Sequence, residues 1–103
     1  MSIRTEVAAR TLTVYLPEVL VVATREQLVA AVAAALREGG VDCVRIDGSS
    51  LATLDSVGIG ALVRTSRMVC ERTGDRPVLV HASADVKQAL METRVIPLLY
   101  EVE

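Results

Sequence analysis

The sequence predicts one α/β domain over residues 1–103, its core spanning about 11–102, in which a mixed sheet of four to five strands is covered by three or more helices. Three observations lead there. Short apolar or alternating runs of strand length take turns with longer stretches whose apolar residues recur every three to four positions. Glycine, proline or clustered hydroxyl residues mark each change of period. The resulting order, β, β, α, β, α, β, α, β, implies strand-helix-strand units, which set neighbouring strands parallel through right-handed crossovers.

The elements follow in order. Residues 11–16 alternate through Leu12, Val14 and Leu16, as a strand with one buried face does. Pro17 and Glu18 break it, and the apolar run Val19 to Ala23 predicts a second strand, hairpin-paired with the first. Thr24 and Gln27 have capping-box spacing, so a helix of about four turns is expected to start there, with Leu28, Val32 and Leu36 on one face. Gly39 and Gly40 end it. The alanines Ala30, Ala31, Ala33, Ala34 and Ala35 predict close packing on the layer beneath. Val41 to Asp47 reads as a strand with Val41, Cys43, Val44 and Ile46 as apolar members, followed by a Gly48-Ser49-Ser50 turn. From Asp55 the helical period returns: Ile59, Leu62, Val63, Val69 and Cys70 trace an inward stripe, and Gly60, Arg64, Arg67 and Glu71 lie elsewhere. Gly74 stops this second helix. Pro77 to Val80 makes a short strand, Ser83 opens a third helix with Asp85 in its first turn, Pro97 closes that segment, and Leu98 to Val102 forms a last strand.

Composition excludes several functions. With 51% hydrophobic residues the chain can bury a core, and that core is aliphatic, because Tyr15 and Tyr100 are the only aromatics. Eleven basic against 13 acidic residues leave a net charge of −2, no footprint for nucleic acid, and two tyrosines make no base-stacking platform. The N-terminal residues lack the apolar core of a signal peptide, and no apolar run reaches the ~20 residues of a membrane span. No membrane insertion and a cytoplasmic location are expected. Cys43 and Cys70 are expected as buried free thiols. With His81 the single histidine and no CxxC or HExxH spacing, neither a metal site nor a cofactor is expected.

The stretch Ser-Leu-Ala-Thr-Leu-Asp-Ser-Val-Gly-Ile-Gly, residues 50–60, sets a hydroxyl after a carboxylate where the loop after a parallel strand enters a helix. Functional sites in open α/β sheets gather at these carboxyl ends of strands. With Asp55 as helix cap, Ser56 falls in the first turn, beside free amides and the positive end of the helix dipole, where a phosphate is favoured. Gly58 and Gly60 either permit close helix packing or, since each costs about 1 kcal/mol of helix propensity relative to Ala, mark a close-approach surface. A Ser56-His81-Asp55 triad is set aside, since the chain has no G-x-S-x-G elbow and no visible oxyanion loop. No catalytic residue is expected.

Residues 44–63, VRIDGSSLATLDSVGIGALV, resemble the STAS family in its anti-sigma-factor-antagonist form: a hydrophobic strand ending in Asp, a short loop, then Asp-Ser-x-Gly-x-Gly entering a helix. The similarity continues through ERTGDRPVLVHAS and VKQALMETRVIPLL, about 90 residues in all. The resemblance implies a bacterial, non-enzymatic regulator of transcription that binds an anti-sigma factor serine kinase until that kinase phosphorylates Ser56. Asp55 supports the phosphosite. The implied contact surface comprises Asp47, Ser49, Ser50, Thr53, Asp55, Ser56, Val57, Gly58, Gly60 and Arg64. The alternative is a scaffold or accessory subunit of a stress-signalling or lipid-transport complex, not phosphorylated. The oligomeric state stays open, a weak homodimer included. Two segments depart from the family pattern: residues 17–27 replace a Gly-Glu-x-Asp turn with LPEVLVVATREQ nearby, and Leu90 is followed by Met91, Glu92, Thr93 and Arg94 in place of Leu-x-x-x-Gly.

Overall fold

The computed structural model describes residues 3–92 and 101–102. Its elements are β1 (Arg4–Ala8), β2 (Thr11–Tyr15), α1 (Val22–Glu38), β3 (Cys43–Asp47), α2 (Ser56–Thr73), β4 (Val78–Val80), α3 (Ala84–Glu92) and β5 (Glu101–Val102). The strands form one sheet in the order β1-β2-β3-β4-β5. Only β1 with β2 is antiparallel; β2, β3, β4 and β5 run parallel. Mixed sheet, strand number and three helices agree with the sequence expectation.

Alternation in the strands decides where the core lies. Leu12 and Val14 of β2, Val44 and Ile46 of β3 and Leu79 of β4 are buried on one face. Leu28, Val32 and Leu36 of α1, Ala61, Leu62 and Val69 of α2, and Val86 and Leu90 of α3 join them in a single apolar cluster. Thr11, Thr13 and Tyr15 alternate onto the other face, where with Glu6, Arg45, Asp47 and His81 they line an open concavity. The domain is accordingly two layers thick, 19 Å along its shortest axis.

The N-terminal third differs from expectation. The hairpin partner of β2 is β1, not the Val19 to Ala23 run. Ala9 and Arg10 both take positive φ (51° and 65°), the signature of a type I′ turn, whose twist matches that of paired strands. All five residues of β1 are exposed, so no apolar alternation marks the strand in the sequence. Val19 and Val21 lie in a connection and Val22 begins α1, each about half exposed. The helix therefore starts two residues earlier than Thr24: Thr24 is its third residue, and its Oγ accepts from the Val21 amide at 2.8 Å, half of a capping box read backwards.

Two packing expectations hold only in part: Ala35 packs against the core and Ala31 and Ala33 are half-buried. Ala30 and Ala34 are exposed, because the inward stripe of α1 repeats every fourth residue and passes between them. Cys43 is exposed, since in β3 the buried positions are Val44 and Ile46 and period two turns Cys43 outward; Cys70 is half-buried. The downstream boundaries hold. Gly74 closes α2 in the left-handed conformation (φ 83°), its N–H reaching the Cys70 carbonyl at 2.9 Å. Ser83 Oγ accepts from the Val86 amide at 3.2 Å ahead of α3. The expectations for Pro97 and for Leu98 to Tyr100 fall outside the described residues; the last strand is seen at Glu101–Val102.

Strain at the hairpin gives a direct check. An alanine in the left-handed region costs about 1 kcal/mol that glycine does not. Ala9→Gly is expected to raise stability by about that much, read as a shift of the urea midpoint at unchanged slope.

Candidate functional site

The site lies where β2 and β3 end. Gly48, directly after β3, donates its amide to the Val80 carbonyl at 2.9 Å, and Leu16 donates to the Asp47 carbonyl at 2.9 Å. These bonds carry the sheet one step past its strands. Asp47 then folds back: its Oδ1 accepts from the Ser49 amide at 2.9 Å, an Asx-type turn that starts the loop. Burial raises the Asp47 pKa, but the hydrogen bonds from Ser49 and the charges of His81 and Arg45 outweigh it and leave the carboxyl below its ordinary range.

Apolar pins hold the loop down. Leu51 (2% exposed) and Leu20 (4% exposed) belong to the core although both sit in connections, and Leu54 packs against it. The Ala52 amide donates to the Glu18 carbonyl at 3.0 Å and ties the connection before α1 to this loop. None of these pins was identified from the sequence. Leu20 was hidden in the VLVV run, whose apolar character suggested a strand; spaced leucines around an Asp-Ser turn are the signal that could have found them.

Asp55 caps α2 as expected, its Oδ1 accepting from the Gly58 amide at 3.1 Å. Ser56 is then the first helical residue, exposed, and among the described residues no hydrogen bond engages its hydroxyl. Ser49, Ser50, Thr53 and Asp55 share that exposure, while Asp47 and Val57 are half-buried. Gly60 and Arg64, one turn apart on α2, are also exposed.

The two glycines separate into different roles. Gly58 is buried, and a Cβ there would lie 2.6 Å from Leu54 Cδ1 and 3.3 Å from Leu20 Cβ. Gly58 thus lets α2 seat closely on the two pins. A Cβ on Gly60 would meet nothing within 4 Å. Packing among the described residues gives no reason for glycine at that position.

His81 directly follows β4 with φ 60°, exposed, and its charge acts on Asp47, whereas Asp55 Oδ1 accepts the cap bond from Gly58. Among the described residues there is no cluster of three or more metal-ligating side chains and no helix long and apolar enough to cross a membrane.

Comparison with known proteins agrees with this architecture. The family model for the STAS domain matches residues 2–101. The solved anti-sigma factor antagonist SpoIIAA in its unphosphorylated form superposes with a TM-score of 0.79 at 22% identity, over 99% of this chain and 88% of that one. The Bacillus cell fate determinant SpoIIAA in its phosphorylated form gives 0.72 at 21% identity, over 99% and 91%. A candidate anti-sigma factor antagonist from Thermotoga maritima gives 0.80 at 14% identity, over 98% and 86%. At these identities the likeness establishes the fold. No curated protein matches the sequence significantly.

The cap and the free glycine predict opposite effects on stability. Asp55→Ala should lower it by about 1 kcal/mol through loss of the cap, and Gly60→Ala should raise it by up to about 1 kcal/mol through helix propensity, both read from urea midpoints. The lowered Asp47 pKa adds a pH dependence. Its folded value lies below its unfolded one, so its contribution is complete above the unfolded carboxyl range and fades as pH falls through the folded value. Asp47→Asn should flatten the acid limb of stability against pH.

Proposed function

The chain belongs to the STAS domain family, and on that premise we propose that it is an anti-sigma factor antagonist, a cytoplasmic binding module that engages an anti-sigma factor serine kinase and is switched off by phosphorylation of Ser56. The observation that carries this reading is the exposed, unengaged Ser56 hydroxyl at the first position of α2, directly after an acidic cap. Its fold is shared with SpoIIAA, whose unphosphorylated and phosphorylated forms both superpose on it.

The chemistry is local. A phosphate on Ser56 adds roughly −1.5 to −2 charges at the rim of a small contact surface. The first-turn amides and helix dipole tolerate it, so α2 keeps its shape. Asp47 and Asp55 make the rim more acidic still. A partner surface suited to the neutral hydroxyl is then repelled, with no refolding of the domain. Gly60 fits the same reading, since a bare backbone on an exposed helix face allows close approach of a partner.

A second reading is a permanent scaffold contact in a stress-signalling or lipid-transport complex, with Ser56 unmodified. Val19, Val21 and Val22 favour it: they stand about half exposed in the connection tied to the Ser56 loop and at the start of α1, and exposed apolar residues mark interaction surfaces.

Incubation with the anti-sigma factor kinases of its own cell, followed by mass spectrometry, should place one phosphate on Ser56; its absence with every such kinase would overturn the switch. In titrations Ser56→Ala should bind the kinase as the parent does and Ser56→Glu at least tenfold more weakly. Equal affinity for all three forms would favour the scaffold. Gly60→Ala should weaken the same binding while stabilising the domain, a combination that loss of folding cannot produce.

A further inference from the structure

At one end of the sheet, β1 has a free edge. Among the described residues it pairs only with β2, and all five of its residues are exposed. The turn fixes which of its backbone groups are free. In a two-residue hairpin the flanking residues, here Ala8 and Thr11, exchange hydrogen bonds, and alternation then assigns bonded pairs to Glu6 with Thr13 and to Arg4 with Tyr15. Thr5 and Val7 therefore turn their N–H and C=O groups outward, and Ile3 continues the same phase. Neither proline nor a bulge interrupts this edge, and Val7 stands 56% exposed along it. An edge of this kind is a template for another strand.

Charged side chains on an edge ordinarily discourage such pairing, but here their signs alternate. Arg4 and Glu6 lie on the open face of the sheet, where Arg4 Nη2 donates to Glu6 Oε1 at 2.9 Å, Tyr15 Oη donates to Glu6 Oε2 at 2.8 Å, and the Arg4 guanidinium stacks over the Tyr15 ring. Tyr15 first and Arg4 second hold the Glu6 carboxyl below its usual pKa, so it is ionised at neutral pH.

We propose that a second copy of this chain adds its β1 to this edge, antiparallel, with Thr5 on the two-fold axis. That register makes Thr5 with Thr5, and Ile3 with Val7, the hydrogen-bonded pairs, matching outward groups to outward groups on both copies. It also sets Arg4 of each copy opposite Glu6 of the other, at the closely spaced non-hydrogen-bonded positions, about 4.5 Å between Cα atoms. The neighbouring registers that keep the hydrogen bonds place Glu6 against Glu6 or Arg4 against Arg4 on the axis, and like charges directly opposite are destabilising. Shifts by a single residue set outward groups against inward ones. One register is selected, and it is self-complementary, as a two-fold interface requires.

The product is a continuous sheet with five strands from each copy. Antiparallel pairing points the carboxyl ends of the two β2 strands in opposite directions, so the two Asp55-Ser56 turns face opposite ends of the dimer. Neither is covered. The assembly is independent of whether Ser56 is phosphorylated, and its test is separate from that of the switch.

Light scattering on a concentration series of the full chain, up to about 500 µM, should show the mass rising toward twice that of the monomer, as mass action requires. Thr5→Pro removes an outward N–H on the axis while leaving the β1–β2 bonds, and should weaken the dimer at least tenfold. Arg4→Glu and Glu6→Arg should each be monomeric, and an equimolar mixture of the two should dimerise again, because only the mixed pair restores opposite charges at both positions. Circular dichroism checks that each variant is folded. A parent protein monomeric across the series, a folded Thr5→Pro variant that dimerises like the parent, or two folded charge variants that stay monomeric when mixed would each overturn the proposal.

Discussion

One-sided burial governs this domain. Parallel crossovers bring α1 and α2 to the same face of the sheet, and every strand from β2 to β4 commits its alternate aliphatic residues to that face. At roughly 25 cal/mol per Å² of apolar surface removed from water, this burial is the dominant favourable term available to a chain without tryptophan or phenylalanine. The opposite face is left polar. Thr11, Thr13, Tyr15, Arg45 and Asp47 stand there because period two leaves them no other place.

The same constraint builds the Asp55-Ser56 turn. A connection leaving β3 must climb over the sheet edge to reach the helical layer, and Leu51, Leu54 and Leu20 hold it down by entering the core that the helices cover. Gly58 completes the contact by bringing α2 against Leu20 and Leu54. The serine is exposed because the residues on either side of its loop are anchored, and a chemical change at its hydroxyl falls on a fixed platform. Rigidity matters to the proposed switch: charge added to a flexible loop could swing away from a partner, whereas charge added to the first turn of an eighteen-residue helix cannot.

How much of this was legible in the sequence depends on whether a residue's role is local. The Asp55 cap, the Gly74 stop and the Ser83 start each answer to backbone groups within four residues, and each was readable. The exposed strand β1 was not, since a strand with no buried face carries no period-two signal and its pairing is set by two left-handed residues, Ala9 and Arg10, that are neither Gly nor Asn. The VLVV run misled for the converse reason. Leu20 alone goes inward there, and the valines around it are apolar without being buried. Thr24 shows the limit of motif spacing: a hydroxyl three residues before Gln27 and three residues after Val21 satisfies two templates, and only the hydrogen bond decides between them.

Gly58 and Gly60 look alike in the motif and differ in what their missing side chains permit. Intramolecular packing accounts for the first completely, because the space a Cβ needs is already occupied by Leu20 and Leu54. Packing among the described residues does not account for the second, which is exposed and carries a helix-propensity cost of about 1 kcal/mol. On the proposed function, contact with a partner offsets that cost. The exposed part of the motif, Ser56 to Gly60 to Arg64, runs along one side of α2, so these residues lie together on the surface proposed to meet a partner.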